Sequence, residues 1–533
     1  MRTRSFWAWG YEDKLPDEET RRGLVGFVEA LLGFSGLAPA PLPSLEAIEL
    51  AAPRAALADL PFCSTDRLVR IHHTHGRSFR DVARGFAGDF RAAPDVVAVP
   101  RDEADLARLF ERCAKDDLVL VPYGGGTSVV SGIEVDAEHR RGGVVTVDLS
   151  TLDRVLEVDE VSRAARIQAG ARGPVLEAQL APYGLSLRFF PQSFELSTLG
   201  GWLATRAGGH FATVYTHIDD LTESIRMLTP VGVWASRRLP GSGAGPSPDR
   251  LALGSEGTLG VITEAWMKLH PRPRHRTRAT VLFPDFERAV TAVRRIAQAA
   301  LHPTNCRLLD AHEAGLHRVT QGDDVGKSVL VLAYESADRV IDEPMARAVA
   351  ICAEEGGVAP RGISKKTDDG GADDAGAAWK QAFVEAPYLQ GVLLSLGVIA
   401  DTFETACTWD AFPRLHAGVT EAVHEAMRRV GGGGKLTCRF THVYPDGPAP
   451  YYTFLVPARG DVLAAWHEIK QAACEALLAH GGTITHHHAV GRMHRPFYDR
   501  ERPAPFAAAL RAAQRAVDPR GILNPGVLLP VEP

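Results

Sequence analysis

Val121-Pro122-Tyr123-Gly124-Gly125-Gly126-Thr127-Ser128-Val129 is the stretch whose reading decides the fold. A hydrophobic run, Val119–Pro122, leads straight into three glycines and two hydroxyl residues. Glycines in a row let backbone N–H groups approach an anion closely and form a nest, and Thr127 and Ser128 add hydroxyl donors. No Gly-Lys-Ser/Thr follows, so this is not a Walker loop. Nor does it open a helix as GxGxxG with an acidic residue about 20 positions on. Taken alone, the segment also reads as a plain tight turn. Upstream, Val96–Pro100 is a short β-rich run and Glu103–Lys115 an amphipathic helix. Strand, helix, strand and glycine loop together make an α/β nucleotide-type unit. Val144–Leu149, Ala164–Ala169 and Ile262–Leu269 add strands, with a helix over 174–182 between them.

Two further clusters mix small residues with hydroxyls. One is Pro191-Gln-Ser-Phe-Glu-Leu-Ser-Thr-Leu-Gly-Gly201, followed by Thr205-Arg-Ala-Gly-Gly-His210; the other is Leu253-Gly-Ser-Glu-Gly-Thr-Leu-Gly-Val-Ile-Thr263. The 51 glycines of the chain are gathered in such clusters rather than spread evenly. Three of them in one region favour a large, diphosphate-containing ligand over independent turns. With 59 Lys+Arg against 65 Asp+Glu the net charge is −6, which argues against an electrostatic nucleic-acid binder.

A chain of 533 residues exceeds one ordinary core and predicts two or three domains. Residues 1–90 read as mostly helical, with a capped segment at Pro16–Leu32 and a basic, His-containing stretch at Arg67–Arg84. His270-Pro-Arg-Pro-Arg-His275 reads as a hinge, after which Thr280–Phe283 starts a strand, Phe286–Leu301 a helix and Ser328–Tyr334 a further strand. The acidic, glycine-rich stretch Asp368–Gly376 reads as a mobile surface loop, and Gly431–Gly434 as a turn before a strand containing Thr437–Val443. The seven cysteines show no CxxC and no regular spacing, as expected of reduced thiols in the cytoplasm. No apolar run reaches the length of a membrane span.

The segments Pro122-Tyr-Gly-Gly-Gly-Thr-Ser128, Ser193-Phe-Glu-Leu-Ser-Thr-Leu-Gly-Gly201 and Gly254-Ser-Glu-Gly-Thr-Leu-Gly-Val-Ile-Thr263 resemble those of the vanillyl-alcohol-oxidase/p-cresol-methylhydroxylase flavoproteins. Within them the chain is most similar to the alkylglycerone-phosphate synthases. That similarity runs from Trp7-Ala-Trp-Gly-Tyr11 through Phe403-Glu-Thr-Ala-Cys-Thr-Trp-Asp410 and Thr485-His-His-His-Ala-Val-Gly491 to Asp518-Pro-Arg-Gly-Ile-Leu-Asn-Pro-Gly526. It implies an α+β architecture: a helical region over 1–90, an FAD domain of the p-cresol-methylhydroxylase type over 91–270, a cap or substrate domain over 271–480, and a C-terminal segment over 481–533 that returns the histidine triplet to the flavin. FAD would contact Pro122, Tyr123, Gly124, Gly125, Gly126, Thr127 and Ser128; Pro191, Gln192, Ser193, Glu195, Ser197 and Thr198; Thr205, Arg206, Ala207 and Gly208; and Gly254, Ser255, Glu256, Gly257, Thr258, Gly260 and Val261. No histidine lies between Val119 and Ser131, so the FAD is expected to be non-covalent.

The triplet His486-His487-His488 follows a turn and a short strand over 481–485. It reads as a polar surface loop, a metal site, or acid–base and phosphate-binding groups, since imidazole titrates near neutrality. Adjacent histidines on a strand alternate faces and cannot all bind one ion, so no metal is expected. The resemblance makes the triplet catalytic and makes Tyr451 the proton donor and acceptor, a phenol that nearby cations must lower toward neutrality. The overall reaction it implies is exchange of the acyl chain of acyl-dihydroxyacetone phosphate for a long-chain alcohol, through an adduct at flavin N5. The arginine that family uses on the substrate phosphate is replaced by Gln390. Arg188, Arg307 and Arg439 are the alternative cations. The competing reading is an FAD-linked oxidase or dehydrogenase of a hydroxy acid or hydroxylated aromatic. In that case His442-Val-Tyr-Pro-Asp-Gly447 and His487-His-Ala489 are the counterparts of a metal site that has lost its carboxylate. A small-molecule or long-chain lipid substrate, peripheral membrane contact and a homodimer complete the expectation.

Overall fold

The computed structural model describes residues 2–211, 213–366 and 387–531; the stretch Asp368–Gly376 lies outside them. A four-stranded sheet runs in the order Cys63–Ser64, Val96–Ala98, Val144–Asp148, Val119–Tyr123, and its last three strands are parallel. Parallel strands must be covered on both faces, which is why Val96, Val145, Val147 and Leu120 are fully buried. The helix Glu103–Lys115 supplies one cover: Asp102 caps it through the Asp105 N–H, and Leu106, Leu109, Phe110 and Cys113 face inward. The strand Val119–Tyr123 (β1) carries the glycine loop off its C-terminal end, where ligands of open α/β sheets bind.

A second, antiparallel sheet of five strands runs 155–159, 164–168, 261–268, 222–229, 232–235. Three of these strands escape a reading of periodicity. Val155–Asp159 and Gly232–Ala235 are the exposed edges, and Thr222–Thr229 mixes polar with apolar residues. The C-terminal segment closes on β1. Leu120 N–H donates to Ile522, Asn524 N–H donates to Leu120, and the Asn524 amide donates to the Gly132 and Glu256 carbonyls.

The third sheet has seven antiparallel strands, ordered 364–366, 275–283, 328–336, 305–309, 435–443, 448–457, 398–404. Asn305–Leu309 (β2), Val398–Glu404 (β3), Lys435–Val443 (β4) and Pro448–Pro457 (β5) lie side by side at one end and present the site residues. The expected hinge is shorter than predicted. His275 already begins a strand, and His270–Pro271 pairs with Leu185–Ser186. The helix Phe412–Gly431 ends where Gly432 takes φ +77°, so the glycine run marks a helix stop leading into β4.

The N-terminal region is less helical than its sequence suggests. A helix over Glu18–Leu32 (α1) is capped by Asp17 and stopped by Gly33 at φ +74°, and helices follow at Arg67–His72 and Phe79–Phe86. Residues 34–62 form no helix, because Pro39, Pro41, Pro43, Pro53 and Pro61 withhold backbone donors. The first residues instead form a strap. Phe6, Trp7, Ala8 and Trp9 are buried, Arg4 donates to the Gly125 carbonyl at 2.8 Å, and the Trp9 indole donates to the Arg77 carbonyl at 3.1 Å. All seven cysteines are free thiols, and among the described residues no helix is long and apolar enough to cross a membrane.

Candidate active site

A cavity of about 480 Å³ runs between the second and third sheets and has three kinds of wall. At one end lie the three glycine clusters. Gly125 is needed by close backbone approach: a Cβ there would sit 2.0 Å from the Leu196 carbonyl, which locks the β1 loop onto the 191–198 segment. The N–H groups of Gly125, Gly126, Thr127 and Ser128 donate to no acceptor among the described residues. Beside them Arg77, also a wall residue, is buried at 2% exposure. Its guanidinium donates to the carbonyls of His75, Gly76 and Ser5 and pairs with no carboxylate among the described residues.

In the middle, residues 485–488 wrap around the carboxylate of Glu404 at the end of β3. Glu404 accepts the N–H groups of His486, His487 and His488 at 2.8–3.1 Å and the Thr485 hydroxyl at 2.7 Å. The triplet is therefore a loop built on a buried anion, so the strand-alternation argument does not apply to it. Burial alone would raise the Glu404 carboxyl, but the three imidazoles, which become charged only at acid pH, and Thr485 hold it well below the usual carboxylate range. The imidazoles are themselves kept neutral, because burial lowers His486, His487 and His488, the last to about 3. His442, His486 and His487 each bring a ring nitrogen within 4.8 Å of the others. These rings already have partners: His442 Nε2 meets the Gly209 carbonyl at 2.9 Å, and His486 Nδ1 meets His487 Nδ1 at 3.1 Å. The set is a hydrogen-bonded cluster.

Tyr451, on β5, donates to Thr402 Oγ1 at 3.0 Å. Its ring stacks on His487 and lies edge-on to His488, with the Arg439 guanidinium 4.0 Å over its face. Burial raises this phenol, with Arg439 and Thr402 opposing incompletely. This corrects the expectation that cations would bring it toward neutrality: the histidines carry no charge, and Arg439 alone does not offset burial. At rest Tyr451 holds its proton and the imidazoles of the triplet are neutral. Arg439 itself donates to Glu313 at 2.5 Å. Arg307, 1% exposed, lines the cavity next to it, and burial lowers its guanidinium to about 9.

The far end is apolar. Leu24, Phe27, Val28, Leu31 and Leu32 of α1 face Leu389, Leu393 and Leu396 of a helical run over 387–395 and its end, with Val398 and Leu455 below. Gln390 lies at the border, its amide donating to the Ala400 carbonyl at 3.1 Å while its own carbonyl finds no donor among the described residues.

Most residues expected at the site do line this cavity: Pro122–Ser128, Pro191–Ser193, Ser197, Thr198, Thr205, Ala207, Gly208, Glu256, Gly257, Gly260, Val261, Arg307, Gln390, Arg439, Tyr451, His487 and His488. Seven do not. Arg188 is taken by Glu335 and packs against Phe211. Glu195 is exposed and accepts from Tyr388. Arg206 caps a helix at φ +51° and pairs with Asp219, and Gly254 packs against its side chain. Ser255 and Thr258 bond to each other in a turn. His486 stands behind His487, off the cavity. Sequence reading missed Arg77, Trp9, Glu404 and the face of α1. Of these only α1 carried a signal, its apolar stripe.

FAD, which the resemblance implies, fits the glycine-lined end. Unpaired N–H groups beside a buried cation that lacks a carboxylate are what a bound diphosphate requires. Residues 94–236 match a family model described as "FAD binding domain", and residues 272–528 match "FAD linked oxidases, C-terminal domain". The alkyldihydroxyacetonephosphate synthase of Dictyostelium discoideum is 31% identical over 87% of this chain and 78% of its own length, and that of Trypanosoma brucei brucei is 30% identical over 88% and 78%. Glycolate oxidase subunit GlcD of Bacillus subtilis is 26% identical over 82% of this chain and 89% of its own. A solved alkyldihydroxyacetonephosphate synthase superposes with a TM-score of 0.80 at 26% identity over 98% of both chains, and p-cresol methylhydroxylase, at 14% identity, shares the fold with a TM-score of 0.67. With FAD as its cofactor, the chain belongs to the alkyldihydroxyacetonephosphate synthase family.

Proposed function

We propose that this enzyme exchanges the acyl chain of an acyl-dihydroxyacetone-type ester for a long-chain alcohol, the activity named for its relatives. One observation carries the reading: a single cavity joins a diphosphate-fitting end, an acid–base cluster and an apolar wall from α1. Bound FAD supplies an electron sink that ends in the redox state in which it began. A neutral imidazole, His487 or His488, takes the proton from the substrate carbon. Tyr451, protonated at rest, delivers one to the departing carboxylate. Arg439 and Arg307 provide fixed positive charge, and α1 with residues 389–396 holds the chain away from water. Glu195, Arg206, Gly254, Ser255 and Thr258 position the cofactor loops, while the cavity-lining members of those clusters contact FAD itself. The FAD is dissociable, the free thiols support cytoplasmic residence, and the homodimer and peripheral membrane contact rest on the resemblance.

Anaerobic stopped-flow tests the reading. Acyl-dihydroxyacetone phosphate with hexadecanol should release fatty acid without lasting loss of flavin absorbance, and acid precipitation should leave the yellow colour in the supernatant. Steady bleaching by a hydroxy acid or a phenol would instead establish the FAD-linked oxidoreductase reading, with the GlcD-like activity. Gln390 is the observation that favours that second reading, since its unpartnered carbonyl suits a donor such as a hydroxyl and not a phosphate. Gln390→Arg should tighten binding of dihydroxyacetone phosphate by about tenfold, the scale of one charge-assisted contact. An unchanged Kd in a fluorescence titration would place the phosphate elsewhere.

A further inference from the structure

The imidazoles at the cavity do not end there. His487 lines the cavity with its Nε2 free of protein partners among the described residues, while its Nδ1 meets His486 Nδ1 at 3.1 Å. His486 Nε2 in turn meets the Tyr444 hydroxyl at 2.7 Å and His217 Nε2 at 3.2 Å, and Tyr444 and His217 are 2.9 Å apart. Tyr444 also lines a second, open cavity of about 410 Å³ on the opposite side, with Cys407, Asp446, Thr483 and Glu501. A hydrogen-bonded chain of side chains thus runs from the buried reaction space, past the Gly208–Gly209 segment, to a residue that borders this second, open cavity.

We propose that His487, His486 and Tyr444 form the proton outlet of the active site, with Tyr444 its gate to solvent. The stoichiometry of the reading above requires an outlet: the carbon's proton returns to it, the alcohol's proton restores Tyr451, and the acid formed on departure ionises against His487, so ester plus alcohol gives ether plus carboxylate plus one proton. The proton lands on His487 Nε2, and the resulting imidazolium sits 3.4 Å from the Glu404 carboxylate. The His487 Nδ1–H bond breaks as a proton passes to His486 Nδ1. The His486 Nε2–H proton passes to the Tyr444 oxygen, and the hydroxyl proton of Tyr444 leaves to water in the second cavity. Each imidazole gains one proton and loses one, and no electron moves between groups. His217 Nε2 holds the Tyr444 hydroxyl in line. It is a positioning residue, and its ring faces Asp219 and Asp220 electrostatically. The requirement for net release rests on the acyl-to-alkyl reading, whereas the chain of contacts does not.

The test uses the FAD-loaded enzyme and Tyr444→Phe, which removes only the hydroxyl. Reduction of FAD to its anionic hydroquinone by dithionite consumes two electrons and one proton, so an indicator dye in weak buffer reports proton entry beside flavin bleaching. In the wild type the two traces should coincide. In Tyr444→Phe proton uptake should lag by about tenfold or more, the low end of what a positioned proton carrier contributes. Added imidazole should shorten the lag, and Tyr444→His should behave as wild type. Acyl-to-alkyl exchange by Tyr444→Phe should show a lowered kcat with KM unchanged. Uptake that keeps pace with bleaching in Tyr444→Phe, or a lag that imidazole leaves unaltered, overturns the route. The dye experiment needs no lipid, so it decides the route even where ether formation fails. Should Tyr444→Phe not fold, Tyr444→Leu, which also lacks the hydroxyl, takes its place with and without added imidazole.

Discussion

Tyr451→Phe is expected to lower kcat for acyl-to-alkyl exchange by about 10²–10⁴-fold, the contribution of a general acid, with FAD still bound. The substitution removes one oxygen and leaves a ring that still stacks on His487 beneath Arg439. Among the described residues the bond lost is the one to Thr402, which costs about 1 kcal/mol and leaves the fold intact. A large loss of rate with a preserved flavin spectrum therefore separates chemistry from packing. Activity within about tenfold of wild type would remove Tyr451 from the mechanism, because a general acid is worth more than that.

The pH profile follows from the same groups. Burial raises the Tyr451 phenol above its ordinary value and lowers His487 and His488 below theirs. Both the acid and its complementary bases are thus in the working state throughout the neutral range. From these groups the rate should stay flat at least from about pH 6.5 to 10, the ordinary imidazole and phenol values, because the first is lowered and the second raised. Glu256 adds a separate acid-side effect. Burial pushes its carboxyl up to about 7 although it accepts the Val490 and Gly491 N–H groups, so it titrates near neutrality under the loop that follows the triplet.

What the sequence could tell depended on whether the signal was local. The glycine clusters were legible because a backbone that must touch another backbone leaves a run of residues without Cβ atoms. Gly125 against the Leu196 carbonyl is such a place. The helix over Glu103–Lys115 was legible because Asp102 and an apolar stripe are written in consecutive turns. Arg188 was not: nothing near it announces that Glu335, 147 residues on, will neutralise it. Glu404 was invisible for the same reason. It sits in an ordinary strand, and its three N–H partners arrive from about 80 residues away, so only the assembled fold shows that the histidine loop is built on it. Gln390 was singled out as the residue at the substrate-phosphate position and lines the cavity, yet its unpartnered carbonyl became a chemical statement only once Ala400 was seen to occupy its amide.

Glu404→Gln should be the most damaging single change in the enzyme. The carboxylate has two oxygens that between them serve the N–H groups of His486, His487 and His488 and the Thr485 hydroxyl. Oε1 alone takes the Thr485 hydroxyl and all three N–H groups, and Oε2 a second contact from His486, so an amide keeps the four acceptor contacts but removes the charge behind them and turns its N–H₂ toward the His486 N–H. Turning four charge-assisted bonds into neutral ones costs about 1 kcal/mol apiece, about 4 kcal/mol in all. Denaturant unfolding of the FAD-loaded protein should show a loss of that size. The loop that places His487 and His488 would lose its anchor at the same time, and kcat should fall about 10³-fold, as when a fixed electrostatic partner is removed from an active site. Glu404→Asp, which keeps the charge but shortens its reach, should recover part of both losses. The same anchor sets an acid limit on stability. The Glu404 carboxyl lies below its ordinary value in the folded protein, so its stabilisation is complete above the unfolded value of about 4.3 and is lost as the pH falls toward the depressed folded one. Glu404→Gln should therefore unfold with little dependence on pH between about 2 and 4.5 from this source, whereas the wild type weakens steadily across that range. Equal acid sensitivity in the two proteins, or a Glu404→Gln enzyme with wild-type kcat, would show that the loop holds itself up without the anion.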